Sequence, residues 1–301
     1  MTIFITGGTG WIGQALVPAL QREGHRVRIL SRRSSLPGGF DSSVELESWG
    51  GPSEPIPPRV LSGVDAVINL AGESIGNGHW TARRKDRLFT SRVETTHRLV
   101  EAIAQSEIKP KTLISASAVG YYGDRGDEPV TEAAQPGDDF LAVLCSHWED
   151  AAKKVIPHGV RLAILRLGVV LGKDGGALPM MALPFKLFVG GALGSGRQVM
   201  SWVHRDDVIG AIRFVLGRDD LSGPINVTAP NPVTNREFST ILGRVLHRPS
   251  FWPMPAFVLR LGLGEMADMA LKGQRVLPKR LQEFGYEFRY ADVEAALRAS
   301  L

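Results

Sequence analysis

Short apolar runs alternate with helix-period segments through the first two thirds of this chain. Runs rich in β-forming residues and bounded by turn residues fall at 2–6, 26–30, 65–70, 111–116 and 161–166, and predict strands. The segments 12–23, 83–105 and 139–156 carry helical periodicity and predict the crossovers between them. That alternation argues for parallel strands in a doubly wound α/β sheet. The stretch Pro37–Pro58, rich in Gly, Ser and Pro, reads as a loop region carrying one short strand. Beyond residue 175 the pattern weakens. Glycine pairs at 175–176 and 190–191 and the turn Gly194-Ser195-Gly196 predict long loops rather than another regular unit. From Asn235 onward the chain reads as mainly helical, with Pro249, Pro253 and Pro255 separating its segments. The expected organisation is a larger domain over 1–230, with loop insertions after 175, and a small C-terminal domain over 231–301. The smaller lobe should close over the carboxyl ends of the strands, where open α/β sheets bind ligands.

The junction of the first strand and first helix reads Thr6-Gly7-Gly8-Thr9-Gly10-Trp11-Ile12-Gly13, directly after Ile3-Phe4-Ile5. Gly8, Gly10 and Gly13 fit G-x-G-x-x-G, while Gly7, Gly10 and Gly13 fit G-x-x-G-x-x-G. In this strand–turn–helix context either spacing predicts a Rossmann-type dinucleotide site. Glycine permits the tight turn and close backbone approach, and free N–H groups at the helix start hold the pyrophosphate. Thr6, Gly7, Gly10, Trp11, Ile12 and Gly13 are therefore the first cofactor-binding candidates. The next strand ends in Ser31-Arg32-Arg33, about 20 residues past the glycines, where an acid favours NAD and an arginine accommodates the 2′-phosphate of NADP. Two guanidinium groups and a hydroxyl suit a phosphate dianion, so NADP(H) is expected in preference to NAD(H). The strand over 65–70 runs into Leu70-Ala71-Gly72-Glu73, whose small residues let the backbone lie along the cofactor. Glu73 either faces the ligand or is an exposed loop carboxylate.

Composition narrows the class. The 301 residues are 44% hydrophobic and 22% charged, as in an ordinary globular protein with ample core. A net charge of +4 is mildly basic. The densest basic run, Arg83-Arg84-Lys85-Asp86-Arg87, contains an acid and belongs to no recognisable nucleic-acid module, so no nucleic acid is expected as partner. Cys145 is the single cysteine, which excludes an internal disulfide. Leu178–Leu193, the most apolar long stretch, is broken by prolines, Lys186 and glycines, so no membrane is expected. With no secretory pattern at the N-terminus, the expected compartment is cytoplasmic. The seven histidines are scattered without ligand spacing, so no metal is expected.

Several further segments point the same way. Asn69-Leu70-Ala71-Gly72-Glu73, Ser115-Ala116-Ser117-Ala118-Val119-Gly120-Tyr121-Tyr122-Gly123, Asp138-Asp139-Phe140-Leu141-Ala142 with Trp148-Glu149, Arg166–Gly172, Ser201-Trp202-Val203-His204, Asn226–Pro230 and Gly273–Pro278 follow the glycine motif in order. Together they resemble the extended short-chain dehydrogenase/reductases, within the epimerase-family proteins of poorly defined function. Some bacterial members of that group are labelled cell-division inhibitors. The resemblance covers essentially the whole chain. It implies a nicotinamide cofactor and, in the wider family, a Ser/Thr, Tyr and Lys assisted by an Asn, with Tyr as proton carrier. Ser117 occupies the serine position. The tyrosine and lysine positions fall on Leu141 and Cys145, and the asparagine position on Arg92. The usual relay is absent.

Other residues are candidates for the missing chemistry. Tyr121 and Tyr122 follow Ser117 closely; one of them supplies a phenol, or they pack on the cofactor. His204 is either an acid–base group or a histidine hydrogen-bonded to Asp206 or Asp207. Cys145 is either a reactive thiol or a small buried hydrophobe. Arg166 and Arg197 suit an anionic substrate. Two functions remain open. One is an oxidoreductase or epimerase-like enzyme acting on a small polar substrate through a non-standard proton relay. The other is a non-catalytic NADP(H)-binding redox sensor or scaffold, as the cell-division label suggests. A homodimer is compatible with the superfamily, and no residue pattern requires one.

Overall fold

Every residue of Thr2–Thr6 and of Ala66–Asn69 is buried, as strands covered on both faces require. The computed structural model describes residues 1–301 and places these two strands at the middle of a seven-stranded sheet. The strands are β1 (Thr2–Thr6), β2 (Arg26–Ser31), β3 (Glu45–Ser48), β4 (Ala66–Asn69), β5 (Thr112–Ala118), β6 (Arg161–Leu167) and β7 (Gly223–Val227). Their spatial order is β3-β2-β1-β4-β5-β6-β7, and every pairing is parallel. Ile5 lies between Ile29 of β2 and Ile68 of β4, which fixes the register at the centre. The chain order reverses between β1 and β4, so a crevice opens beyond the carboxyl ends of those two strands.

Alternation along β1 divides the core. Ile3 and Ile5 point to one face, where Leu16, Val17 and Leu20 of α1 (Trp11–Arg22) meet Val208, Ile212 and Val215 from a later helix. Phe4 points to the other face and packs with Leu99 and Ile103. Each fully buried aliphatic or aromatic side chain of this kind contributes roughly 1.5–3 kcal/mol of transfer free energy. The edge strand β3 has no buried residue and accounts for the short strand expected within Pro37–Pro58.

The segment 83–105 is helical throughout, as expected, with one irregularity. It comprises α2 (Ala82–Phe89), a π-helical turn over Thr90–Glu94, and α3 (Thr95–Gln105). The expectation for the region after 175 needs correction, because that region is not mainly loop. After α4 (Phe140–Lys153) and the short helix α5 (Leu178–Lys186), the strand Trp202–His204 pairs with Val169–Leu171. The chain then enters α6 (Arg205–Leu216) and returns as β7 beside β6. That regular unit carries its own local signals: a capping side chain at His204 and two acids, Asp206 and Asp207, in the first turn, which complement the helix dipole. The neighbouring glycines obscure them.

The rest is helical, as expected. Helix α7 (Asn235–Leu246) starts with a capping box between Thr234 and Glu237, and four short helices follow between Ala256 and Ser300. Residues 273–280 run back to the main sheet. Arg275-Val276 pairs with Pro129-Val130, Gln274 Nε2 donates to the Val119 carbonyl at 3.0 Å, and Arg280 Nη1 donates to the Pro224 carbonyl at 2.8 Å. No helix is long and apolar enough to cross a membrane.

Candidate functional site

The glycine turn forms one wall of the crevice. Gly7 has φ +72°, and a Cβ there would lie 2.6 Å from the Leu70 carbonyl carbon. A side chain at Gly13 would come within 2.6 Å of Gly8 Cα, so that glycine lets α1 seat against the turn. At Gly8 a Cβ would lie 3.0 Å from the buried Ile29 side chain, and at Gly10 it would lie 3.1 Å from the Gly7 carbonyl oxygen. Gly7 and Gly13 are thus the most demanding positions. The Gly10 N–H closes the turn onto the Gly7 carbonyl at 2.9 Å, and the helical ladder begins with Gln14 N–H to Gly10. The N–H groups of Trp11, Ile12 and Gly13 precede that ladder and point outward from the helix start, an anion-binding arrangement. The Trp11 indole has another role. Its Nε1 donates to the Lys173 carbonyl at 3.1 Å, residues 172–176 fold against its ring, and the Arg205 guanidinium lies over it at 5.0 Å. Arg205 Nε is buried there without a hydrogen-bond partner.

At the end of β2, Ser31 Oγ accepts from the Arg33 N–H at 3.1 Å. Arg32 and Arg33 are both exposed, and no carboxylate lies within 4 Å of either guanidinium. Two unneutralised cations therefore sit beside the crevice. On its other side, Leu70 and Ala71 press on Gly7. Glu73 is tied down through its side chain, which pairs with Arg84 Nη1 at 2.8 Å. Beneath this rim lies a buried polar cluster that sequence reasoning missed. Thr6 Oγ1 donates to Asn69 Oδ1 at 2.7 Å, Asn69 Nδ2 donates to Thr96 at 2.9 Å and Ser115 at 3.2 Å, and Trp148 Nε1 reaches Thr96 at 3.0 Å. These bonds fasten the ends of β1 and β4 and the middle of β5 to α3 and α4. The available signal was a set of polar residues at interior positions of otherwise apolar strands.

Beyond β5, the predicted catalytic residues separate into engaged and free groups. Ser117 is 2% exposed and donates through Oγ to Glu149 Oε1 at 2.8 Å. Glu149 holds Arg166 in a two-pronged pair, with Nε–Oε1 and Nη2–Oε2 both at 2.8 Å. Although burial opposes the charge, the hydrogen bonds and charge of Glu149 hold the Arg166 guanidinium above its ordinary pKa. Arg166 Nη1 donates to the Tyr122 hydroxyl at 2.9 Å, and that hydroxyl donates to Asn226 Oδ1 at 2.6 Å. Burial pushes the Tyr122 phenol up to about 12, with Arg166 pulling the other way. Arg166 is consequently paired internally, contrary to the expectation that it faces an anionic substrate; its counter-ion comes from α4. Arg197 is exposed and unpaired.

Tyr121 differs from its neighbour. Its ring is only partly buried, its hydroxyl makes no hydrogen bond within the protein, and the Arg166 guanidinium stacks 3.5 Å from the ring centroid. His204 caps α6: Nδ1 accepts from the Asp206 N–H at 3.1 Å, while the ring rests on Tyr290 at 4.0 Å. Burial lowers the His204 pKa, against an opposing pull from Asp206. Cys145 is buried, and burial followed by the Glu149 charge pushes its thiol up to about 12. Leu141 packs against Gly120, where a Cβ would meet Leu141 Cβ at 3.2 Å. No group of three or more His, Cys, Asp or Glu side chains is placed to hold a metal ion.

Residues 3–228 match the NAD dependent epimerase/dehydratase family, and residues 254–300 match a domain of unknown function, DUF1731. The chain belongs to that epimerase/dehydratase family. It is 42% identical over 298 residues to the epimerase family protein YfhF of Bacillus subtilis, covering 99% of this chain and 97% of that protein. It is 43% identical over 301 residues to a chloroplastic SDR39U1 homolog of Arabidopsis thaliana, covering 99% of this chain and 86% of the plant protein. Among solved structures, the human epimerase family protein SDR39U1, crystallised with NADPH, aligns with a TM-score of 0.89 at 35% identity. That alignment covers 99% of this chain and 98% of the human one.

Proposed function

We propose that this family member is an NADP(H)-dependent oxidoreductase or epimerase-like enzyme acting on a small polar carbonyl or alcohol. The observation that carries the cofactor reading is the pair Arg32 and Arg33, uncompensated at the end of β2, on the crevice side that receives the adenosine half of a dinucleotide. The NADPH held by the human relative supports the same choice. The residues fit the group: the outward N–H groups of Trp11–Gly13 take the pyrophosphate, Gly7 admits it, and Ser31, Arg32 and Arg33 take the 2′-phosphate. When bound, the nicotinamide would supply hydride chemistry. The protein's part is proton handling at the substrate oxygen, and Tyr121 carries it, because its phenol alone among Ser117, Tyr121 and Tyr122 has no internal partner. The Arg166 guanidinium, itself held by Glu149, stacks on that ring.

A second reading is favoured by the same network. Ser117 and Tyr122 spend their hydroxyls on Glu149 and Asn226, which suits a non-catalytic NADP(H) sensor or scaffold. Titration of the cofactor-stripped protein with NADPH and NADH, then a carbonyl panel at saturating cofactor, separates the two. The enzyme reading expects turnover that Tyr121→Phe removes while leaving NADPH affinity intact. Tight binding with no turnover across the panel favours the sensor. Arg32→Ala should weaken NADPH much more than NADH; an equal loss for both removes the assignment of the 2′-phosphate site.

A further inference from the structure

Besides Arg32 and Arg33, a further unneutralised cation lies on the other side of the crevice. Arg92 stands in the π-helical turn Thr90–Glu94, a local widening of the helix that re-aims side chains and recurs at functional sites. Its guanidinium donates to the Glu73 carbonyl at 2.8 Å and the Leu88 carbonyl at 3.3 Å, and approaches Ser91 Oγ at 3.4 Å. No carboxylate lies within 4 Å of it. The nearby Glu73 carboxylate is taken by Arg84. One face of the group lies over the Trp148 ring at 5.3 Å. Another faces residue 72, where a Cβ would lie 3.2 Å from Arg92 Cζ and would crowd the guanidinium. Burial lowers the Arg92 pKa, with Cys145 and the Glu73 charge acting against that shift. A cation withdrawn from water with no counter-ion is costly, and an incoming oxygen ligand relieves that cost.

The sheet order says which ligand group reaches it. The pyrophosphate seat lies at the end of β1; β2, with Arg32, is on one side, and β4, leading into Gly72, is on the other. A dinucleotide whose adenosine half lies over β2 must extend its other half over β4 and β5. We infer that Arg92 is a binding residue for the sugar hydroxyls of the nicotinamide half of the cofactor. This rests on the NADP(H) reading above.

The test dissects the cofactor. Affinities for NADPH and for 2′,5′-ADP, which carries the adenosine half alone, are measured by calorimetry on wild type, Arg92→Gln, Arg92→Lys and Arg32→Ala, with melting temperatures of the unliganded proteins. Arg92→Gln should weaken NADPH by about tenfold or more, the scale of a lost charge-assisted hydrogen bond, and leave 2′,5′-ADP unchanged. Arg92→Lys, which keeps the charge on a different fork, should fall between, and it stands in if the glutamine variant does not fold. Arg32→Ala should weaken both ligands. A purely structural Arg92 would change the melting temperature without changing the ratio of the two affinities, and that result overturns the inference. If wild type binds neither NADPH nor 2′,5′-ADP, the NADP(H) reading itself fails.

Discussion

Arg166→Met would remove one partner of an ion pair whose side chains are 4% and 1% exposed. Glu149 would keep its buried carboxylate with Ser117 Oγ as its remaining side-chain donor. Breaking a buried pair from one side costs about 3–5 kcal/mol, mostly the penalty of the orphaned charge. At roughly 2.1 cal/mol/K of unfolding entropy per residue, a chain this long loses about 5–8 °C of melting temperature for that cost. The double variant Glu149→Leu with Arg166→Met removes both charges, and should recover most of the loss, since an apolar pair of similar volume is close to neutral. Calorimetric melts of wild type, both single variants and the double variant at one pH and salt concentration give the interaction energy directly. An Arg166→Met protein melting within about 2 °C of wild type, or a double variant falling further than the single one, would show that no buried charge is orphaned at this cost.

Two other outcomes follow from groups near the site. Burial lowers the His204 pKa, so the unfolded chain binds a proton that the folded chain resists. The stability His204 contributes is therefore complete above its unfolded value, about 6.5, and is lost as pH falls below it. His204→Asn keeps a capping oxygen for the Asp206 N–H and should narrow the gap in melting temperature between about pH 8 and pH 5; an unchanged gap excludes His204 as a source of it. Cys145, with its thiol pushed up to about 12, should resist iodoacetamide at neutral pH and react only as fast as the protein opens. Rapid labelling of the native protein, unaltered by low urea, would contradict that.

Much of the fold was legible because buried parallel strands write themselves as apolar runs. Ile3-Phe4-Ile5 and Val67-Ile68 are central strands for that reason. β7 was not legible, because Gly223 and Pro224 open it and leave only Ile225-Asn226-Val227 as a β-forming run. The glycine turn could be placed from spacing alone, since its chemistry is backbone chemistry confined to eight adjacent positions. The Ser117–Glu149–Arg166–Tyr122–Asn226 chain could not. Its members come from β5, α4, β6, the turn after β5, and β7, and only the pairing of those elements brings a lone arginine in Leu165-Arg166-Leu167 to its carboxylate. Arg92 is legible in part. Its charge and position can be read, but its lack of a counter-ion depends on Arg84 having claimed Glu73.

The clasp on Trp11 has a kinetic consequence. The indole hydrogen-bonds to Lys173, 162 residues downstream, and the segment 172–176 that covers it is held beside a strand pairing with Trp202–His204. Nothing in the first half of the chain can make that closure. A nascent chain ending after β5 would possess the whole glycine motif and five of the seven sheet strands, yet lack the cover over the first residue of α1. Parallel pairings and contacts of such long sequence separation form slowly. The anion seat is encoded at the start of the chain, and its cover by residues beyond the middle.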